Sequence, residues 1–134
     1  MKYVLITGAT GTIGKAICEI LIKKQFTIIA HGRNPQKLKA LKEHLEKTYS
    51  SQVITVQFDL RTKSSILSGL EILMKTHKLN IDVLINNASE TPKKKILTEE
   101  GLECQFAVNI LGYHRMIQYL QKYMPPGSRI INVA

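Results

Sequence analysis

The apolar positions of this chain keep changing their period. Short runs of branched and apolar residues without clean alternation fall at Tyr3–Ile6, Thr27–Ala30, Val53–Phe58, Val83–Ile85 and Ile130–Val133. Parallel strands covered on both faces give such runs. Between them the spacing shifts to three and four. Ile13, Ala16, Ile17, Ile20 and Leu21 form one helical stripe, and Leu38, Leu41 and Leu45 a second. Ile66, Leu67, Leu70, Leu73 and Met74 form a third, and a last pattern from about Thr98 to Tyr123 predicts the longest helix. Local chemistry agrees with these limits. Asn34 before Pro35 reads as an N-cap followed by a proline in the first turn, and Thr98 precedes Glu99 and Glu100, which suit a positive helix end. Pro125, Pro126 and Gly127 stop the last helix. No repeat, linker or low-complexity tract interrupts the alternation. The expectation is one α/β domain over residues 1–134, a doubly wound parallel sheet of five strands in the order 3-2-1-4-5 with right-handed crossovers, ending after the fifth strand.

The connection from the first strand to the first helical stripe reads Thr7-Gly8-Ala9-Thr10-Gly11-Thr12-Ile13-Gly14. A strand, a tight glycine turn and a helix start present unpaired N–H groups and a positive helix end to a pyrophosphate, as in a Rossmann-type domain. Gly8 allows the sharp turn, Gly11 lets backbone approach the phosphates, and Gly14 permits close helix–strand packing. An ordinary structural turn could carry the same three glycines; the strand before and the helix after favour the nucleotide reading. Gly8, Thr10, Gly11, Thr12, Ile13 and Gly14 are therefore candidate cofactor-binding residues. The end of the second strand bears on which nucleotide. NAD-binding folds place an Asp or Glu there, roughly twenty residues past the glycines, to take the ribose hydroxyls. This chain reads Ala30-His31-Gly32-Arg33-Asn34, with no acid. Arg33 instead offers a planar, permanently charged fork to a 2′-phosphate. The expected cofactor is NADP(H) in preference to NAD(H).

Length and charge narrow the picture further. A chain of 134 residues can bury one core, not two. The net charge of +9 invites a nucleic-acid reading, but the basic residues are dispersed and there is no Trp. Aromatics are not interleaved with Lys and Arg as stacking platforms, so no nucleic-acid partner is expected, and the basic surface suits anionic ligands in general. Lys93-Lys94-Lys95 reads as a solvated loop. No apolar run approaches membrane-spanning length, and Met1-Lys2 leads straight into the first strand without room for a signal peptide. Cys18 and Cys104 fall in separate helical segments without metal-like spacing. Reduced thiols, no metal and a cytoplasmic location are expected. His31, His44, His77 and His114 form no catalytic spacing.

Three further motifs complete a recognisable set. Asp59-Leu60 closes the third strand, Asn86-Asn87-Ala88 closes the fourth, and Phe106-Ala107-Val108-Asn109 lies inside the last helical pattern. Together with Thr7–Gly14 they resemble the cofactor half of a short-chain dehydrogenase/reductase. The stretch from Leu97-Thr98-Glu99-Glu100-Gly101-Leu102-Glu103 to Asn109-Ile110-Leu111-Gly112 resembles the retinol-dehydrogenase-like and WW-domain-oxidoreductase-like branch. The resemblance implies that Asp59 hydrogen-bonds the adenine amino group, with Leu60 contributing backbone. It implies that Asn87 and Ala88 line the ribose side, that Asn86 fixes the strand end, and that Asn109 is the catalytic asparagine, ordering a water in the proton relay. Helical spacing puts Phe106, Tyr113 and Met116 on the face of Asn109 and turns its amide inward, where it needs partners.

The chain departs from the family pattern twice. Its glycines are evenly spaced, and Thr12 stands where the usual middle glycine falls, although a threonine N–H can still face phosphate. The family also carries hydride transfer on a Ser after the fifth strand and on a Tyr-x-x-x-Lys, the lysine lowering the tyrosine pKa. The sequence ends at Asn132-Val133-Ala134 before that serine would appear, and Tyr119 and Lys122 are one residue too close to form the second motif. The implied function is the NADP(H)-binding portion of an oxidoreductase that moves hydride between nicotinamide and a small carbonyl or alcohol substrate. The alternative is a non-catalytic nucleotide-binding or regulatory module. Self-association through the apolar edge strand Ile130–Val133 is also expected.

Overall fold

The structure, a computed structural model, describes residues 1–134. The chain alternates through β1 (Tyr3–Ile6), α1 (Thr12–Lys23), β2 (Thr27–Gly32), α2 (Pro35–Tyr49), β3 (Val53–Gln57), α3 (Lys63–His77) and β4 (Val83–Asn86). There follow α4 (Cys104–Phe106), a π-helical segment (Ala107–Leu111), α5 (Gly112–Leu120), a 3-10 turn (Gln121–Tyr123) and β5 (Arg129–Asn132). All neighbouring strands run parallel, in the order β3-β2-β1-β4-β5 that the alternation predicts. The fold is a Rossmann-like doubly wound sheet.

Strand alternation divides the core. Leu5, Ile29, Ile54 and Leu84 point to the face covered by α3 and α5, where they meet Ile66, Leu70 and Met116. Val4, Ile6, Ile28, Val53 and Ile85 point to the opposite face and pack with Cys18, Leu38, Leu41 and Leu45 of α1 and α2. Each fully buried Leu or Ile contributes about 1.5–3 kcal/mol of transfer free energy, so covering both faces is what holds the sheet in register. β1, at the centre, buries Val4, Leu5 and Ile6 completely. At the other extreme, β5 lies at an edge with all four residues exposed, Ile130 at 43% and Ile131 at 46%. No helix is long and apolar enough to cross a membrane.

Asn34 caps α2 as expected, its Oδ1 accepting from the N–H groups of Gln36 (2.9 Å) and Lys37 (3.1 Å). The longest predicted helix does not start at Thr98. There the chain makes a turn, in which Gly101 N–H donates to the Thr98 carbonyl (2.9 Å) and Leu102 N–H to Thr98 Oγ1 (3.3 Å). Gly101 takes φ +78°, a left-handed conformation that a helix interior excludes. Helix begins only at Cys104, capped by Glu103, whose carboxylate accepts from Gln105 (2.7 Å) and Phe106 (3.0 Å). The π-helical segment then shifts the phase of everything after it. Phe106 stands 45% exposed while Met116 is fully buried, so Phe106 does not share the inward face predicted for it with Asn109. Strand limits move slightly: β2 and β4 run on to Gly32 and Asn86, β3 stops at Gln57, and β5 lies one residue earlier than predicted.

Candidate functional site

Thr7 knits the end of β1 to the end of β4. Its buried Oγ1 accepts from the N–H groups of Asn87 (2.9 Å) and Ala88 (3.0 Å), and Asn87 Nδ2 donates back to the carbonyls of Thr7 (3.1 Å) and Gly8 (3.3 Å). Gly8, at φ +63°, passes so close to this segment that a Cβ would lie 2.7 Å from Ala88 Cα. At Gly14 a Cβ would lie 2.2 Å from the Gly8 carbonyl oxygen, so this glycine seats α1 on the turn itself. Gly11 has open space instead, the nearest atom to its Cβ direction being Gly8 O at 3.6 Å. Asn86 joins β4 to β5 through Nδ2 to Asn132 Oδ1 (3.0 Å), which leaves Asn86 Oδ1 buried without a partner.

The helices differ at their starts in a way that matters for anions. Asn34, Thr62 and Glu103 cap α2, α3 and α4 with side-chain oxygens. α1, with Gly11 at its N-cap, has no side-chain cap and, like the others, no acid in its first turn. Its leading N–H groups and the positive end of its dipole therefore face a cleft of about 400 Å³ at the carboxyl ends of the strands. The cleft brings together every binding residue expected from the sequence. The turn supplies Gly8, Thr10, Gly11, Thr12, Ile13 and Gly14, and the segments just after β2, β3 and β4 supply Arg33, then Asp59 and Leu60, then Asn87 and Ala88. Asp59 is fixed by its neighbours, its Oδ1 accepting from Arg61 N–H (2.9 Å) and its own N–H donating to Ser65 Oγ (2.8 Å). Leu60 turns an almost fully buried side chain into the wall.

Asn109 stands behind this wall. Its Oδ1 accepts from Glu90 N–H (2.8 Å) and its Nδ2 donates to the Glu90 carbonyl (3.0 Å), so both ends of the amide hold the loop after β4. The Tyr113 hydroxyl reaches the Ala88 carbonyl (3.1 Å) and the Val133 carbonyl (3.3 Å), bracing the same loop.

Two residues of the cleft escaped the sequence reading. Arg33 does have an acid beside it: Glu90, from the far end of β4, pairs Oε1 with Arg33 Nη1 at 3.0 Å. Glu90 also accepts from Arg61, through Nε (3.1 Å) and through Nη2, and from the Cys104 thiol (2.9 Å). The Arg61 guanidinium above all, then Cys104 and Arg33, hold its carboxyl down at about 2 against partial burial. Burial and this carboxylate push the Cys104 thiol up to about 11. His31 is the second. It is buried against Phe58, Nδ1 accepts from Gly8 N–H (3.1 Å), and Nε2 donates to the Phe58 carbonyl (2.9 Å). Only the neutral ring protonated at Nε2 makes both bonds, and burial lowers its pKa to about 4. No spacing in the sequence connects these partners, which meet because parallel strands end side by side.

A doubly wound sheet that aims uncapped helix amides into a cleft at its strand ends has the architecture of a Rossmann-like nucleotide site. Residues 2–134 match the family model described as short chain dehydrogenase, and the chain belongs to that family. It is 32% identical over 136 residues to retinol dehydrogenase 13 of Mus musculus, covering 99% of this chain and 40% of that protein. It is 30% identical to the 3-oxoacyl-[acyl-carrier-protein] reductase of Aquifex aeolicus, covering 99% and 55%. Among solved structures, a blue fluorescent protein from a metagenomic library in complex with NADPH is 26% identical, with TM-score 0.81 over 98% of this chain and 54% of that one. L-sorbose reductase from Gluconobacter frateurii, at 23% identity and TM-score 0.83 over 98% and 51%, shares the fold. The chain spans about half the length of the curated relatives it matches.

Proposed function

We propose that the cleft binds NADP(H), and that this chain supplies the cofactor-holding part of an oxidoreductase acting on a small carbonyl or alcohol. The observation that carries the reading is the uncapped start of α1 behind the glycine turn, whereas the starts of α2, α3 and α4 have side-chain oxygens. There the amides near Gly11, Thr12 and Ile13 would take the pyrophosphate. Arg33 would take the 2′-phosphate, and Asp59 and Leu60 the adenine. Asn87 and Ala88 would line the ribose, and Asn109, fixed by its two bonds to Glu90, would be the catalytic asparagine. The nicotinamide, when bound, supplies or accepts the hydride. The related structure solved with NADPH supports the cofactor class. Both cysteines are free and buried, which supports a cytoplasmic, reducing location.

The experiment is a titration followed by nicotinamide fluorescence. The chain is expected to bind NADPH more tightly than NADH, and Arg33→Ala to remove most of the difference, about 1–3 kcal/mol for a charge-assisted contact. Equal affinities in parent and variant would sink the assignment. A second expectation concerns β5, whose exposed isoleucines and open backbone offer a template for pairing. Light scattering should show concentration-dependent association that Ile131→Lys suppresses; a strictly monomeric parent contradicts it.

A further inference from the structure

Arg33 is not a free cation waiting for a phosphate, because Glu90 already holds it. We propose that Glu90 sets the nucleotide preference of the cleft by competing with the 2′-phosphate for Arg33. The proposal rests on the NADP(H) reading above and adds a specificity-determining residue to it.

The geometry makes the two partners unequal. The Arg33 side chain is 58% exposed and reaches across the cleft mouth from the end of β2, whereas that of Glu90 is 18% exposed. Glu90 is anchored from three sides besides. Arg61 grips both carboxylate oxygens, Cys104 donates its thiol, and Asn109 clamps the Glu90 backbone at N–H and carbonyl. An entering 2′-phosphate therefore meets a fixed carboxylate and a movable guanidinium. Arg33 holds Glu90 through Nη1 alone, and turning its whole fork on the phosphate gives up that contact. Glu90 meanwhile stays on Arg61 as a negative charge beside the incoming phosphate. A nucleotide with a free 2′-hydroxyl carries no such demand and leaves the Arg33–Glu90 pair intact. The cleft thus discriminates less sharply for the phosphorylated nucleotide than an unpaired arginine would. Were Glu90 only a stitch between the loops after β2, β3 and β4, losing it would weaken both nucleotides alike.

The adenosine halves of the two cofactors separate these roles, with 2′,5′-ADP and 5′-AMP as probes and calorimetric affinities as the readout. Glu90→Gln is expected to tighten 2′,5′-ADP roughly two- to fivefold, the range of a partly exposed ion pair, and to leave 5′-AMP unchanged. In an Arg33→Ala background the same substitution should give no gain. Glu90→Asp, which keeps a charge for Arg61 but shortens the reach to Arg33, should reproduce the gain and serves if the Gln variant does not fold. A gain that survives the loss of Arg33, or equal changes for both probes, overturns the proposal. Equal binding of both probes by the parent and by Glu90→Gln alike marks failure of the NADP(H) reading itself.

Discussion

Replacing Gly14 with alanine is expected to cost the fold about 3 kcal/mol, the upper end for forcing one methyl group into a packed site. The new Cβ would lie 2.2 Å from the Gly8 carbonyl oxygen and 2.8 Å from Ala9 Cα, and neither backbone atom can swing aside as a side chain could. Helix propensity returns only ~1 kcal/mol, because alanine is the better helix former. The turn and the start of α1 must move apart, so the amides aimed into the cleft lose their alignment. Each charge-assisted bond lost there weakens NADPH binding by about tenfold or more. Gly11→Ala is the informative contrast. Its Cβ meets nothing closer than 3.6 Å, so stability should hold while the surface facing the phosphates closes in and binding falls. Urea denaturation and NADPH titration of both variants check this. A Gly14→Ala protein as stable as the parent would show that the turn is not packed in this way.

Acidification should weaken the protein through His31 before any carboxylate contributes. Folded, the buried ring titrates at about 4, and its ordinary value is 6.5. Between those values the unfolded chain binds a proton that the folded chain refuses, so stability rises with pH across the window and is complete above it. From pH 7 to 5 the expected loss is about 2 kcal/mol, growing to about 3 kcal/mol at pH 4, from 1.36 kcal/mol per pKa unit. Glu90 enters only below its ordinary value of 4.5, where protonation begins to undo its pairing. Protonating His31 Nδ1 in the folded protein also removes the acceptor of Gly8 N–H, so nucleotide binding should weaken only as the pH falls toward 4. His31→Gln keeps an acceptor without a titrating ring and should flatten the stability profile between pH 5 and 7. Urea midpoints measured across that range decide it, and an unchanged slope in the variant would assign the titration elsewhere.

The architecture was legible because its signals are local. A switch between apolar runs and helical stripes, a glycine turn after the first strand, and Asn34 before Pro35 can each be read within a few residues. The strand order follows once crossovers are right-handed, and the cleft residues follow because they close consecutive strands. The pairings that finish the site are not local. Glu90 and Arg33 stand 57 positions apart, and His31 and Gly8 stand 23 apart. The absence of an acid after β2 was true of the sequence neighbourhood and untrue of the space around Arg33. The segment after Thr98 failed for a different reason. Its apolar spacing continues through Gly101, and Thr98 caps a turn with the same oxygen chemistry that would cap a helix. A π-helical turn has no distinct composition, so the rotation of Phe106 away from Met116 leaves no trace in the pattern.

The cleft between the glycine turn and the ends of β2, β3 and β4 is proposed to receive a dinucleotide. Titrating isotope-labelled chain with NADPH and following backbone amide resonances tests it most directly. Saturable shifts are expected at Gly8, Gly11, Thr12, Ile13 and Gly14, with Arg33, Leu60 and Ala88 moving in step, while Lys93, Lys94, Lys95 and the β5 amides stay in place. Shifts confined to the lysine loop, or none that saturate, would contradict the account.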